Sequence, residues 1–172
     1  GYSMIKGEAV LLGDNINTDF IISGRYKFSI TDMKELAKHI MEDIDPEFPK
    51  KLKPGISVIV AGENFGMGSS REQAPLVIKE SGIAAVVAKS FARIFYRNGF
   101  NIGLPLIQVD TSKIKEKDAL LIDLDNSFLT VEVNGRSPLR LNIQPLSPVM
   151  QKLLADGGIV NHLKKHNGKL EL

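Results

Sequence analysis

The chain contains no cysteine among its 172 residues. This absence excludes disulfide bonds, a thiolate nucleophile and a zinc–thiolate site. It also excludes an iron–sulfur cluster that is ligated by cysteines of this chain. If such a cluster takes part in the function, another chain must hold it.

The chain also lacks a charge bias and a long apolar run. Its 22 basic and 20 acidic side chains give a formal net charge of +2, which offers no reason to propose nucleic acid or an anionic membrane as a partner. The apolar stretches are far shorter than the roughly 20 residues that span a bilayer, and the first residues show no signal-type segment. We therefore expect a cytoplasmic protein. We also expect one domain over residues 4–172, with 1–3 as an added remnant before the first methionine.

The first two thirds of the chain alternate between strand and helix patterns. Short β-branched runs predict strands at 5–12, 56–61, 84–88 and 104–109. The apolar spacing over 33–44, with Asp32 as N-cap, predicts an amphipathic helix. A further helix should follow residues 62–72, beginning at Ser70 or near Ala74 and ending at Gly82, and another should begin after a Ser90 cap and end at Gly99. This order predicts a parallel α/β layout.

The last third is rich in strand patterns. Alternating segments at 119–124, 128–133 and 139–143 predict β-strands, with Asn134-Gly135 as a hairpin turn. A closing helical segment interrupted by Gly157-Gly158 should follow. The predicted fold class is therefore α/β, with a central, mostly parallel sheet and a β-rich second half.

Residues 62–72, Gly-Glu-Asn-Phe-Gly-Met-Gly-Ser-Ser-Arg-Glu, concentrate the chemistry of the chain. Glycines allow close backbone approach to a ligand, free amides at a helix start favour anions, and Arg71 can bind a carboxylate or phosphate bidentately. A dinucleotide motif would need another glycine after Gly68-Ser69-Ser70, and a P-loop would need a lysine after Gly68. The simpler interpretation is a tight strand-to-helix turn with Ser70 as the cap.

Three segments together carry a resemblance to a known family: NTDFIISGRY at 17–26, GENFGMGSSRE at 62–72 and AVVAKSFARIFYRNGFNIGLP at 85–105. They resemble the small subunits of 3-isopropylmalate dehydratase and the swivelling domain of aconitase and homoaconitase, in the same order along the chain. The resemblance spans roughly residues 4–166. It implies the swivelling-domain β/β/α fold.

The resemblance also implies a reaction. Members of this superfamily move a hydroxyl by one carbon, removing water from a hydroxy-polycarboxylate and adding it back. A [4Fe-4S] cluster on a separate large subunit acts as the Lewis acid. By resemblance, Ser69 is the catalytic base, and Ser70 and Arg71 bind a substrate carboxylate. No metal is expected to bind to residues of this chain.

Two further segments are assigned by the same resemblance. Thr18-Asp19 matches an active-site motif that contributes to substrate binding, although an Asx-type turn would also explain it. Residues 90–98 form a family signature, but their amphipathic spacing favours a scaffold role.

Substrate choice is expected in the loop after Gly24, through Arg25, Tyr26, Lys27 and Phe28. Relatives that take homoaconitate place an arginine there, and those that take isopropylmalate place apolar residues. Phe28 near the discriminating position favours isopropylmalate, whereas Arg25 and Lys27 keep an acidic substrate open. The alternatives are a homoaconitase or a 2,3-dimethylmalate dehydratase small subunit and, from a different class, a stand-alone anion-binding regulatory module.

Overall fold

A computed structural model describes residues 3–27, 32–69, 72–132 and 137–172, without the side chain of Lys27. The strands in these ranges are β1 (Met4–Leu11), β2 (Ser57–Val60), β3 (Ala85–Ala88), β4 (Leu106–Gln108), β5 (Ala119–Asp123), β6 (Phe128–Glu132) and β7 (Leu139–Asn142). The helices are α1 (Thr18–Ile21), α2 (Gly24–Lys27), α3 (Met33–Ala37), α4 (Phe48–Lys51), α5 (Gln73–Glu80), α6 (Arg93–Asn101), α7 (Pro148–Asp156) and α8 (Ile159–Lys165).

All of these strands form one sheet in the order β4-β3-β2-β1-β5-β6-β7. The first four strands run parallel to one another, with Val58 opposite Ala85 and Val86 opposite Leu106. Every residue of β2 and β3 is buried, so both faces of these two central strands are covered. Helices α5 and α6 make the crossovers that parallel neighbours require.

The second half of the sheet is antiparallel. β5 pairs with β1 on one side and β6 on the other, and β7 forms the edge. Buried and more exposed residues alternate along β5 and β6, as in a sheet with one face on the core. These observations confirm the predicted fold class. Asn134-Gly135 lies outside the described residues.

The helix after residues 62–72 begins at Gln73, so the prediction of a start near Ala74 is confirmed and a Ser70 start is not. Pro75 falls in the first turn, where a backbone N–H has no intrahelical acceptor to lose. Gly82 follows the helix with φ of 85°, as a residue after a helix end often does. The predicted interruption at Gly157-Gly158 is also confirmed, since Gly157 ends α7 in the left-handed conformation.

The predicted helix over 33–44 is wrong beyond Ala37. Asp32 does cap α3, because its side chain accepts a hydrogen bond from the Lys34 N–H at 2.9 Å. After α3 the chain continues in turns, and Met41 has φ of 57° and donates its N–H to the Ile21 carbonyl at 2.9 Å. Ile40 and Met41 are fully buried all the same, so the apolar pattern predicted burial but not conformation.

The predicted Ser90 cap and Gly99 end of α6 are also wrong. The N-cap of α6 is Ala92, and the Ser90 hydroxyl instead accepts a hydrogen bond from the Asn64 N–H at 2.7 Å. Gly99 lies inside the helix, where an added Cβ would come within 2.5 Å of the Leu106 side chain. Gly99 is therefore a contact position between α6 and β4.

Candidate functional site

The candidate site lies where β1, β2 and β3 end side by side. The segments that leave these strands are 12–18, 61–69 and 89–92, and we call them the first, second and third edge loops. Open α/β sheets bind ligands at this carboxyl edge of the parallel strands. The segment that concentrates the expected catalytic residues is the second edge loop, which lies between the other two.

Main-chain hydrogen bonds join the first and second edge loops. The Asn15 N–H donates to the Glu63 carbonyl at 2.7 Å, and the Gly66 N–H donates to the Ile16 carbonyl at 2.8 Å. Further along, the Thr18 N–H donates to the Met67 carbonyl at 2.9 Å. The two loops therefore run together as a short parallel ladder.

The third edge loop joins the second in the same way. The Phe65 N–H donates to the Ser90 carbonyl at 3.0 Å, and the Ala92 N–H donates to the Phe65 carbonyl at 2.9 Å. Phe65 is fully buried, and its ring packs edge-on against Phe91 and Phe95. The second edge loop is thus fixed on both sides.

Two glycines are required by this close packing. Gly66 has φ of 85°, and a Cβ there would lie 2.2 Å from Cγ of Phe95. Gly68 has φ of 94°, and a Cβ there would lie 2.6 Å from Oδ1 of Asn17. A residue with a side chain would be strained at either position and would push the neighbouring loop or helix away.

Thr18 fixes the part of the second edge loop that carries Ser69. Thr18 is 1% exposed, and its hydroxyl donates to the Ser69 carbonyl at 2.7 Å. Asp19 follows it on the exposed side, and its N–H donates to Oδ1 of Asn17 at 2.8 Å. The side chain of Asn17 thus makes the Asx-type turn at this motif, and Asp19 is exposed.

Ser69 is exposed at the end of the second edge loop. Ser70 and Arg71, the expected carboxylate-binding residues, lie outside the described residues. The structure therefore brings Thr18 and Ser69 together, and Asp19 is next to Thr18 in the chain. The roles of Ser69, Ser70, Arg71, Thr18 and Asp19 stay predictions.

A cavity of about 220 Å³ opens beside this loop. It is lined by Thr18, Gly66, Gly68, Ala92, Arg93, Ile94, Phe95 and Asn98. Five of these residues come from α6 and its N-cap, in the segment that the sequence pattern assigned to scaffold. The signal that could have identified them is positional, because α6 leaves the strand next to β2 at the same edge of the sheet.

The expected specificity loop is described only in part. The Arg25 guanidinium pairs with Glu42 at 3.2 Å and with Asp43 at 2.9 Å. The Tyr26 ring stacks on His39 with centroids 4.0 Å apart, and its hydroxyl donates to Glu42. Burial acts to raise the pKa of Glu42, but hydrogen bonds from Tyr26 and His39 outweigh it and hold that pKa below its usual value. Phe28 and the Lys27 side chain lie outside the described residues.

One group away from the edge loops has the composition of a metal site. Asp156, His162 and His166 can place ligand atoms within 4.8 Å of one another. However, His162 Nδ1 lies 2.6 Å from Oδ2 of Asp156, and His162 Nε2 accepts the Glu171 N–H at 2.9 Å. Both ring nitrogens of His162 therefore already have protein partners, and the bond to Glu171 attaches the C-terminal segment to α8.

Among the described residues, no helix combines the length and the apolarity needed to cross a bilayer.

Comparisons with known proteins agree with the geometry. The family model of the aconitase C-terminal domain matches residues 16–111. The chain is 51% identical to 3-isopropylmalate dehydratase small subunit 2 of Archaeoglobus fulgidus, over 93% of this chain and 94% of the relative. It is 50% identical to the methanogen homoaconitase small subunit of Methanocaldococcus jannaschii, over 94% of this chain and 92% of the relative.

A solved structure gives the same result for the fold. The crystal structure of a 3-isopropylmalate dehydratase from Methanocaldococcus jannaschii superposes with a TM-score of 0.88 at 49% identity, and the match covers 95% of each chain. These findings confirm the resemblance that the three sequence segments indicated. The chain belongs to the aconitase C-terminal domain family.

Proposed function

We propose that this chain is the small subunit of a two-chain hydro-lyase that interconverts 2-isopropylmalate and 3-isopropylmalate in leucine biosynthesis, in the cytoplasm. The observation that carries the proposal is the near-complete match to small subunits of that dehydratase, at 51% identity in one case. The three edge loops supply the physical support, because they form a rigid, glycine-rich edge suited to a small anionic substrate.

We infer that Ser69 Oγ takes the proton from the substrate carbon. A serine hydroxyl is too weakly acidic for this role unless amides, a cation and the exclusion of water stabilise its alkoxide. Thr18 contributes by holding the Ser69 carbonyl, and Arg71 would supply the cation. Ser69 is exposed in the single chain, so the exclusion of water has to come from a partner. The chain by itself should therefore be inactive.

The implied [4Fe-4S] cluster does not fit the residues of this chain. Thiolate ligands are absent because there is no cysteine, and His162 of the Asp156 cluster is already engaged on both ring nitrogens. We therefore assign the cluster to a large partner subunit, where it would supply Lewis-acid chemistry to the departing hydroxyl. The part left to this chain is to bind and orient the substrate and to move its proton.

The choice of isopropylmalate over homoaconitate rests on the specificity loop. An acidic substituent needs an available cation, but the charge of Arg25 is balanced by Glu42 and Asp43. Phe28 would pack an isopropyl group at little cost, whereas an unpaired carboxylate against it would be costly. The homoaconitase small subunit among the relatives keeps homoaconitate as the second candidate, with 2,3-dimethylmalate as a third.

The test is turnover after reconstitution with a cluster-bearing large subunit under anaerobic conditions. We expect the chain alone to be inactive and the complex to convert 2-isopropylmalate faster than homoaconitate or dimethylmalate. Ser69→Ala should reduce kcat by about 10² to 10⁴ with folding and assembly unchanged, because a general base contributes that much. Ser137→Ala, at an exposed serine before β7, is the matched control.

Each alternative gives a different result. Faster turnover of homoaconitate would replace the substrate, and near-wild-type activity of Ser69→Ala would remove Ser69 from the role of base. A stand-alone anion-binding module would bind its ligand without a partner and would give no turnover when the large subunit is added.

A further inference from the structure

Among the residues that the structure describes, one charged side chain lines the cavity beside the second edge loop. Arg93 begins α6, is exposed, and lines the cavity together with Gly66 and Gly68. No carboxylate of the described ranges lines this cavity. Within the part of the chain that the structure describes, the Arg93 guanidinium makes no ion pair or side-chain hydrogen bond. Among the described residues, Arg93 is therefore a cation without a carboxylate partner at this cavity.

The other described arginine in a candidate site segment is in the opposite situation. Arg25 is held by two carboxylates, and each of those pairs is partly exposed. A bound dianion gains most from cations that are not already paired, since a paired cation must first give up its partner. On this criterion Arg93 is better placed than Arg25 to meet a substrate carboxylate.

The surroundings of Arg93 favour an anion as well. Helix α6 has no side-chain N-cap, and the first-turn amides of Arg93, Ile94 and Phe95 donate to no acceptor in the described ranges. Asn98 adds an amide one turn further along the same cavity wall. These groups place partial positive charge beside the guanidinium, and an arginine fork matches the two oxygens of a carboxylate.

We propose that Arg93 is a substrate-binding residue whose guanidinium holds one carboxylate of the dicarboxylate substrate in the cavity at the start of α6. The inference rests on the proposed function, since it assigns a second cation to the same dianion that Arg71 is expected to bind. It replaces the scaffold role that the amphipathic spacing of residues 90–98 indicated for this position.

The first test compares three variants in the reconstituted complex. We expect Arg93→Gln to lower kcat/KM about 10- to 100-fold, mainly through a higher KM, because a hydrogen bond to a charged group is lost. Arg93→Lys should recover part of the loss, since it keeps the charge but not the fork. Arg97→Gln is the matched control, because Arg97 is exposed on the same helix but does not line the cavity.

Two outcomes would contradict the role of Arg93 in substrate binding. If Arg93→Gln matches Arg97→Gln in KM, the inference is wrong. If raising the concentration of the large subunit restores the activity of Arg93→Gln, Arg93 binds the partner protein and not the substrate. Measuring the dissociation constant of the two subunits with each variant separates these cases.

A second measurement does not depend on turnover. The chain alone is titrated with 2-isopropylmalate at millimolar concentration and followed by amide NMR. We expect the resonances of Gly66, Gly68 and Ile94 to shift in the wild type and in Arg97→Gln, but not in Arg93→Gln. Absence of these shifts in the wild type overturns the inference. If the complex prefers homoaconitate, the KM test and the titration are both repeated with that substrate, so the proposed function can fail while Arg93 is still tested.

Discussion

Replacing Thr18 by valine tests whether the position of Ser69 in the second edge loop depends on one hydroxyl. The change keeps the shape of a fully buried side chain but removes the hydrogen bond that Thr18 donates to the Ser69 carbonyl at 2.7 Å. Ser69 is exposed, so water can reach its carbonyl. We therefore expect a loss of only about 1 kcal/mol in the free energy of unfolding, or about 2–4 °C in Tm.

The effect of Thr18→Val on turnover should be much larger. Without this bond the backbone at Ser69 can drift, and a displacement of about 1 Å at a reacting group costs on the order of 10²-fold in rate. The assay is kcat of the reconstituted complex with 2-isopropylmalate, measured beside thermal unfolding of the chain alone. The expected result is a small change in Tm and a large fall in kcat.

Thr111→Val is the matched control. The buried Thr111 hydroxyl donates to the Ala61 carbonyl at 2.7 Å, at the start of the same loop but away from Ser69. Ala61 is 3% exposed, so its carbonyl stays dry and the cost should approach about 3 kcal/mol. Thr111→Val should thus be less stable but more active than Thr18→Val. If kcat falls in parallel with stability in both variants, the positioning argument for Thr18 is refuted.

Two further predictions concern packing and pH. Gly66→Ala should destabilise the fold by about 1–3 kcal/mol in urea unfolding, because its Cβ would meet the Phe95 ring. Gly13→Ala is the control and should be nearly neutral, because a Cβ there meets nothing within 4 Å. Equal effects of the two substitutions would contradict the argument that Gly66 is needed for close packing. Hydrogen bonds from His162, and to a smaller extent from Lys165, hold the pKa of Asp156 below its ordinary value. The stability that these bonds add is therefore complete at pH values above the ordinary pKa, and it is lost as the pH falls through the lowered pKa. Asp156→Asn should therefore be less stable than the wild type at neutral pH, with a gap that closes below about pH 4, and a gap that persists in acid would count against this pair.

The sheet could be predicted from the sequence because its pattern is local. Strands β2 and β3 are continuous β-branched runs between turn residues, and β5 and β6 alternate with period two. Each predicted strand was found within two residues of its expected ends. Such segments are determined by burial on one face or both, which composition and period report directly.

The errors arose where a distant backbone group decides the local conformation. The helix predicted over 33–44 ends at Ala37, and beyond it the Met41 N–H bonds to the Ile21 carbonyl in α1. Ser90 precedes a helix as a cap would, but its hydroxyl serves Asn64 in the neighbouring loop. Local preference is a weak predictor against such tertiary contacts.

Predicting the site required a different kind of information. The glycines and serines of 62–72 indicated an anion site by their chemistry, but only the resemblance assigned Ser69 its role. Arg93 and Asn98 were missed because a helical period looks the same whether the polar residues face solvent or a cavity. Which of the two they face depends on the strand order, which periodicity does not contain.

The hydrogen bonds that tie the edge loops together run mostly between peptide groups, as from Asn15 to Glu63 and from Phe65 to Ser90. A scaffold of this kind tolerates exchange of the side chains that project from it, since hydrogen bonds between peptide groups do not depend on the side chain. Evolution can then replace a residue at the surface of the edge loops without rebuilding their backbone. Relatives named for isopropylmalate and for homoaconitate, at 51% and 50% identity to one chain, are the outcome that such an architecture permits.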